Sequence, residues 1–183
     1  MANIETRRGS PWRIAGWSIA ALLLLLPAVA MQFTNEVNWD GTDFVFAAVL
    51  FGTVGGVFEL AVRMSRNWAY RGGVAAALAA AFLTIWANAA VGMIGNEDNS
   101  YNFLFLGVIL LALVGSIAAH FRATGMAVAM TVAAVAHAAV ALGGLGADQR
   151  GAILSLLFVG FWLLAAGLFR KAGEDQKRAH AAA

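Results

Sequence analysis

The chain reads as an all-α transmembrane helical bundle of six spans, and three observations predict it. Of its 183 residues 61% are apolar and only 12% charged, against about a quarter charged in soluble domains. Mean hydropathy is +0.76. Uncharged stretches long enough for a hydrocarbon core of about 30 Å, which takes roughly 20 helical residues, recur six times between charge or turn signals. Together these exclude a water-soluble globule.

The first span, Trp12 to Phe33, holds the run Leu22 to Leu26. With Arg7 and Arg8 ahead of it and Ala28-Val29-Ala30 near its end it also mimics a cleavable signal peptide, whose removal would leave five spans. The apolar stretch from Ile14 is long for a signal, so retention is the expectation, with Pro27 kinking the helix. The second span, Phe44 to Val62, closes on Arg63, and the third, Gly73 to Gly95, follows Arg71. The fourth, Phe103 to Phe121, closes on Arg122, the fifth runs from Met126 to Leu145, and the sixth, Ala152 to Phe169, closes on Arg170-Lys171. Connections are too short for an extramembrane domain, so residues 1–171 are expected to form a single bundle and 172–183 a solvated, partly disordered cytoplasmic tail.

Positive loops stay in the cytoplasm. One side of the spans holds Arg7, Arg8, Arg13, Arg63, Arg66, Arg71, Arg122, Arg170, Lys171, Lys177 and Arg178, and the other only Arg150. Both termini are therefore expected in the cytoplasm, with Glu36, Asp40, Asp43, Glu97, Asp98 and Asp148 on an acidic external face. The segment Asn67 to Arg71 reads as a connection that lies along the inner leaflet or docks a partner.

A parallel internal repeat is the further expectation. At an offset of 59 the second span pairs with the fourth (Phe44 with Phe103, Gly56 with Gly115, Arg63 with Arg122), and at an offset of 49 the third pairs with the fifth, which makes Asn88 equivalent to His137. Alanine-rich helices also produce such matches by composition alone. Small residues, Gly52 and Gly56 among them, read first as close helix packing.

The polar residues inside the spans are the candidate site. An isolated carboxylate at Glu59 costs about 2.5 to 3.5 kcal/mol on insertion scales, so it needs a partner. Arg63, one turn away, supplies a structural pair; His120, at a similar depth in the aligned hairpin, would instead make a proton-exchanging pair. Asn88 and His137 lie roughly 10 Å below the opposite surface, where a hydrogen bond between them would fix helix register. Trp86 beside Asn88 offers an aromatic wall for a small amphiphile, and Trp162 lies equally deep. No metal or cofactor site is expected. The chain has no cysteine, His120 and His137 stand about 15 to 20 Å apart along the bundle axis, too far for one haem iron, and Asn96-Glu97-Asp98-Asn99 reads as solvated loop before it reads as a Ca²⁺ site. No catalytic motif appears, so no enzyme is expected, and no basic surface is offered to nucleic acid.

At Met31-Gln32-Phe33-Thr34, Phe58-Glu59-Leu60, Tyr70-Arg71, and Asn88-Ala89-Ala90-Val91-Gly92 through Gly95-Asn96-Glu97-Asp98-Asn99, the chain resembles an uncharacterised family of small multi-span integral membrane proteins of Gram-negative bacteria. That resemblance implies a bacterial inner-membrane location and carries no activity or functional residue. From the residues themselves the expectation is a protein that binds or translocates a small amphiphile or proton-coupled solute, using Glu59, His120, Asn88, His137 and Trp86. The alternative is a non-catalytic accessory or scaffold subunit of a larger membrane complex. Membrane lipids, and either copies of itself or complex subunits, are the expected partners.

Overall fold

The computed structural model describes residues 11–182. Arg7 and Arg8, counted toward orientation, lie outside the described residues, as does the side chain of Trp12. The elements are α1 (Pro11–Ala30), α2 (Gly41–Met64), α3 (Trp68–Ala90), a short 3-10 turn (Ser100–Asn102), α4 (Phe103–Ala118), α5 (Ala123–Gly143) and α6 (Gln149–Ala181). Among the described residues there is no strand, and all six helices are long and apolar enough to cross a membrane.

Local chemistry sets the ends. Asp40 and Asp43 cap α2 reciprocally: Asp40 Oδ1 accepts from the Thr42 and Asp43 amides at 2.7 and 3.1 Å, while Asp43 Oδ2 accepts from the Asp40 amide at 2.9 Å. Asn67 caps α3 by accepting from the Tyr70 amide at 3.0 Å. Residues 67–71 are helical rather than a loop: they are the cap and first turn of α3, with Ala69 and Tyr70 buried and Trp68 exposed. Arg71 is drawn inward because it donates to the Ser65 and Val62 carbonyls at 2.6 and 2.8 Å, satisfying orphan acceptors at the end of α2.

The expected disordered tail is likewise corrected. Although the apolar run ends at Phe169, α6 continues unbroken to Ala181, because charges there repeat at helical spacing: Arg170 meets Glu174 at 3.3 Å and Lys171 meets Asp175 at 3.7 Å. Exposed pairs of this kind contribute little each. The stronger anchors are the buried Ala172 and Gly173, the Asn67 amide nitrogen donating to Asp175 at 3.1 Å, and Lys171 lying over the Trp68 ring at 5.5 Å.

The chain divides into two compact units, Met1–Glu59 and Leu60–Ala183. In the first, Trp17 of α1 lies against Gly55 of α2, where an added Cβ would stand 2.9 Å from the ring. A Cβ at Gly52 or Gly56 would meet no atom of this unit.

In the second unit α6 packs against both α5 and α3, and α5 packs in turn against α4. The core mixes alanines at zero or near-zero exposure (Ala69, Ala80, Ala133, Ala134, Ala165) with the large Trp162, Phe105 and Phe169. Small residues let the backbones close in. A Cβ at Gly115 would come within 2.9 Å of Ala129, and one at Gly173 within 2.8 Å of the Thr124 methyl. The outward faces are as apolar as the core, with Leu110 and Val114 on α4, Val128 and Val135 on α5, and Leu154 and Leu157 on α6 all exposed. This is the pattern of helices whose surroundings are lipid.

Candidate functional site

The deepest polar group of the second unit is His137 on α5, with no exposed surface. Its ring lies 5.1 Å from Phe105 of α4 and 6.1 Å from Phe158 of α6, centroid to centroid. Nδ1 accepts from Trp162 Nε1–H at 3.3 Å, which assigns the neutral tautomer carrying its proton on Nε2. Among the described residues Nε2 has no hydrogen-bond partner. The expected bond to Asn88 does not form. Asn88 donates instead to the Thr84 carbonyl at 2.8 Å on its own helix, and its Oδ1 is left without a partner among the described residues. The physical reason is packing order: α6 is the common neighbour of α3 and α5, so the residue facing His137 is Trp162 of α6, and Asn88 back-bonds one turn up its own helix. Trp86 stacks on Phe82 at 5.7 Å with an interplanar angle of 19°. The layer around His137 is thus filled by Phe105, Phe158 and Trp162.

In the first unit Glu59 forms an ion pair with Arg13, and Trp17 Nε1–H points to its other oxygen at 3.4 Å. The cross-helix cation from α1 is a partner that the spacing along α2 does not reveal.

His120 occupies an unusual backbone position at the end of α4. Its amide donates to the Ile117 carbonyl at 2.8 Å and the Phe121 amide to the Ser116 carbonyl at 3.1 Å, the bond pattern of a Schellman stop, in which the left-handed residue is usually glycine. Here His120 and Phe121 both take positive φ, 48° and 56°. The turn is held from α3, where the Tyr70 hydroxyl donates to the Phe121 carbonyl at 2.8 Å.

That turn forms one wall of an open vestibule of about 880 Å³ at the arginine-rich end of the second unit, and the helical extension of α6 forms the opposite wall. His120, Arg122, Lys177 and His180 line it, together with the hydroxyl of Tyr70 and the apolar Met64 and Phe121. No carboxylate does. A second cleft of about 660 Å³ lies beside the vestibule between α5 and α6, lined in part by Val128, Thr131, Val132, Ala166 and Gly167. Thr124, Gly173 and Lys177 belong to both. Arg170 and Glu174, which flank the second cleft, are paired with each other.

At the opposite end the polar groups are engaged with backbone. Asp148 caps α6, its Oδ1 accepting from the Gly151 amide and its Oδ2 from the Gly95 amide, each at 3.0 Å. These bonds, the Gly151 one foremost, hold its carboxyl below the usual carboxylate range. Asn99 Oδ1 accepts from the Tyr101 amide at 3.0 Å, and Asn102 Oδ1 accepts from the Ile94 amide at 2.8 Å. Among the described residues no group of three or more His, Asp or Glu is placed to hold a metal ion.

Comparison with family models, with characterised proteins and with solved structures finds no match. The geometry of these sites therefore carries the functional argument alone.

Proposed function

We propose that this chain is a non-enzymatic protein of the bacterial inner membrane that binds a small amphiphile at its arginine-rich, cytoplasmic end. The observation that carries the reading is that the two clefts adjoin: a polar, cationic chamber and a largely apolar groove along α5 and α6 share Thr124, Gly173 and Lys177 in their linings. A molecule with a charged head and a hydrocarbon tail fits both chemistries at once. Of the residues expected from sequence, His120 belongs to this site. Asn88, His137 and Trp86 do not line it and serve as packing groups of their helices, and Glu59 pairs with Arg13 within the first unit. Binding is favoured over translocation because the His137 layer is filled by large rings.

The test is native mass spectrometry of the full chain extracted gently from its own membrane. Stoichiometric retention of an amphiphile, lost in Gly167→Leu, supports the reading; the added side chain enters open space, since a Cβ at Gly167 meets nothing within 4 Å. Retention of other polypeptides with no bound amphiphile would overturn it in favour of a scaffold subunit.

A further inference from the structure

We infer that the head chamber is specific for anionic phosphate, and that its occupant is an acidic phospholipid. The inference rests on the amphiphile reading and adds the chemistry of the head. Four side chains able to carry positive charge converge from two separate segments, His120 and Arg122 from the turn between α4 and α5, and Lys177 and His180 from the α6 extension. Charges gathered from separate elements surround an object, whereas a run on one helix coats a surface. Among the described residues neither Arg122 nor Lys177 forms an ion pair.

The nearby acids are already neutralised. Glu174 meets Arg170, and Asp175 meets Lys171 and the Asn67 side chain. The chamber thus presents two unpaired cations with no carboxylate in its lining, beside two imidazoles whose Nδ1 atoms donate to the Ala118 carbonyl at 3.0 Å (His120) and the Gln176 carbonyl at 2.8 Å (His180). The Arg122 position adds to this, since it is the cap of α5 and no side chain caps that helix, so the positive end of its dipole opens on the same space.

The head is phosphate by its match to donors arriving from several directions, which suit an anion with several exposed oxygens better than a planar carboxylate. The lipid source follows from the groove, because free phosphate has no use for an apolar channel beside the chamber. His120 fits the same logic. A glycine would sit in its left-handed conformation at lower energy, and a side chain retained there against backbone preference points to use.

The experiment titrates the full chain, in detergent micelles, with phosphatidylglycerol, with phosphatidylcholine and with inorganic phosphate, and counts bound lipid by native mass spectrometry. Phosphatidylglycerol is expected to be retained about tenfold more strongly than phosphatidylcholine. The exposed pair Arg122→Gln with Lys177→Gln should lower its retention by about tenfold, to the level of phosphatidylcholine, and leave phosphatidylcholine and the thermal midpoint unchanged. Gly167→Leu should weaken both lipids alike. Equal retention of the two lipids in the unaltered chain overturns the anionic specificity and leaves the amphiphile reading standing. Failure to retain either lipid overturns both. Displacement of phosphatidylglycerol by equimolar phosphate, with no effect of Gly167→Leu, overturns the lipid source.

Discussion

His137 offers a quantitative test of whether its layer is structural. The side chain is fully buried among three aromatic rings, and these are too large and too well packed to collapse into a vacancy. His137→Ala should therefore cost about 2 to 4 kcal/mol for the lost contacts and the cavity, with about 1 kcal/mol more for the stranded Trp162 N–H. His137→Leu fills much the same volume and gives a different sum. It strands the Trp162 N–H, yet it also removes an Nε2–H that already lacks an acceptor among the described residues. Two terms of about 1 kcal/mol and opposite sign leave a net change within about 1 kcal/mol of zero. Adding Trp162→Phe to His137→Leu should recover part of the Trp162 term, a favourable coupling of about 1 kcal/mol. The assay is reversible unfolding in mixed micelles followed by helical circular dichroism. If His137→Leu proves as damaging as His137→Ala, then Nε2 has a partner that the leucine strands, and that result refutes the packing account.

His120→Gly should stabilise the chain by about 0.5 to 1 kcal/mol, since glycine accepts the left-handed stop without penalty, and the unfolding midpoint reads it directly. Gly73→Ala should destabilise by about 1 to 3 kcal/mol, because the new Cβ would stand 3.0 Å from the fully buried Phe169 ring; Gly160→Ala, whose Cβ meets nothing within 4 Å, should be neutral or gain about 0.5 to 1 kcal/mol of helix propensity. Asp148 makes stability depend on pH. Its folded pKa is depressed, so in the window between the folded and the ordinary carboxylate pKa the unfolded chain binds more protons and stability rises with pH. The contribution is complete above the ordinary carboxylate pKa and is lost as pH falls through the lower folded value. A pH titration of the unfolding midpoint should show this acid limb in the unaltered chain and a flatter one in Asp148→Asn.

Spans were legible because burial in lipid imposes a length and a composition that no packing detail overrides. The second span, read as Phe44 to Val62, corresponds to α2 at Gly41–Met64. Errors fall where charge and helix coincide. Arg71 looked like the edge of a loop, yet the structure uses it to close α2, so α3 begins at Trp68, ahead of the expected Gly73. Past Phe169 the apolar signal stops while the helix continues on alternating charges.

The site was less legible for a different reason. Trp162 and His137, or Arg13 and Glu59, meet because particular helices are neighbours, and helix adjacency leaves no trace in one sequence. The vestibule draws Gly173, Gln176, Lys177, His180 and Ala181 of its lining from the α6 extension, residues that composition alone marks as a solvated end. One signal was available. Lys177 and His180 fall on the same face at helical spacing as Gly173, and extending the sixth helix by about three turns would have placed them on one helical face.

The proposed occupant is one amphiphile with its head in the basic vestibule and its tail along α5 and α6. Reconstituting the full chain with a phosphatidylglycerol that carries a photoactivatable group on its acyl chain, then mapping the adducts by peptide mass spectrometry, tests that placement directly. The account predicts adducts concentrated in residues 124–132 and 166–177 and depleted in Gly167→Leu. Adducts spread evenly over the outward faces of the helices, and indifferent to that substitution, would contradict it.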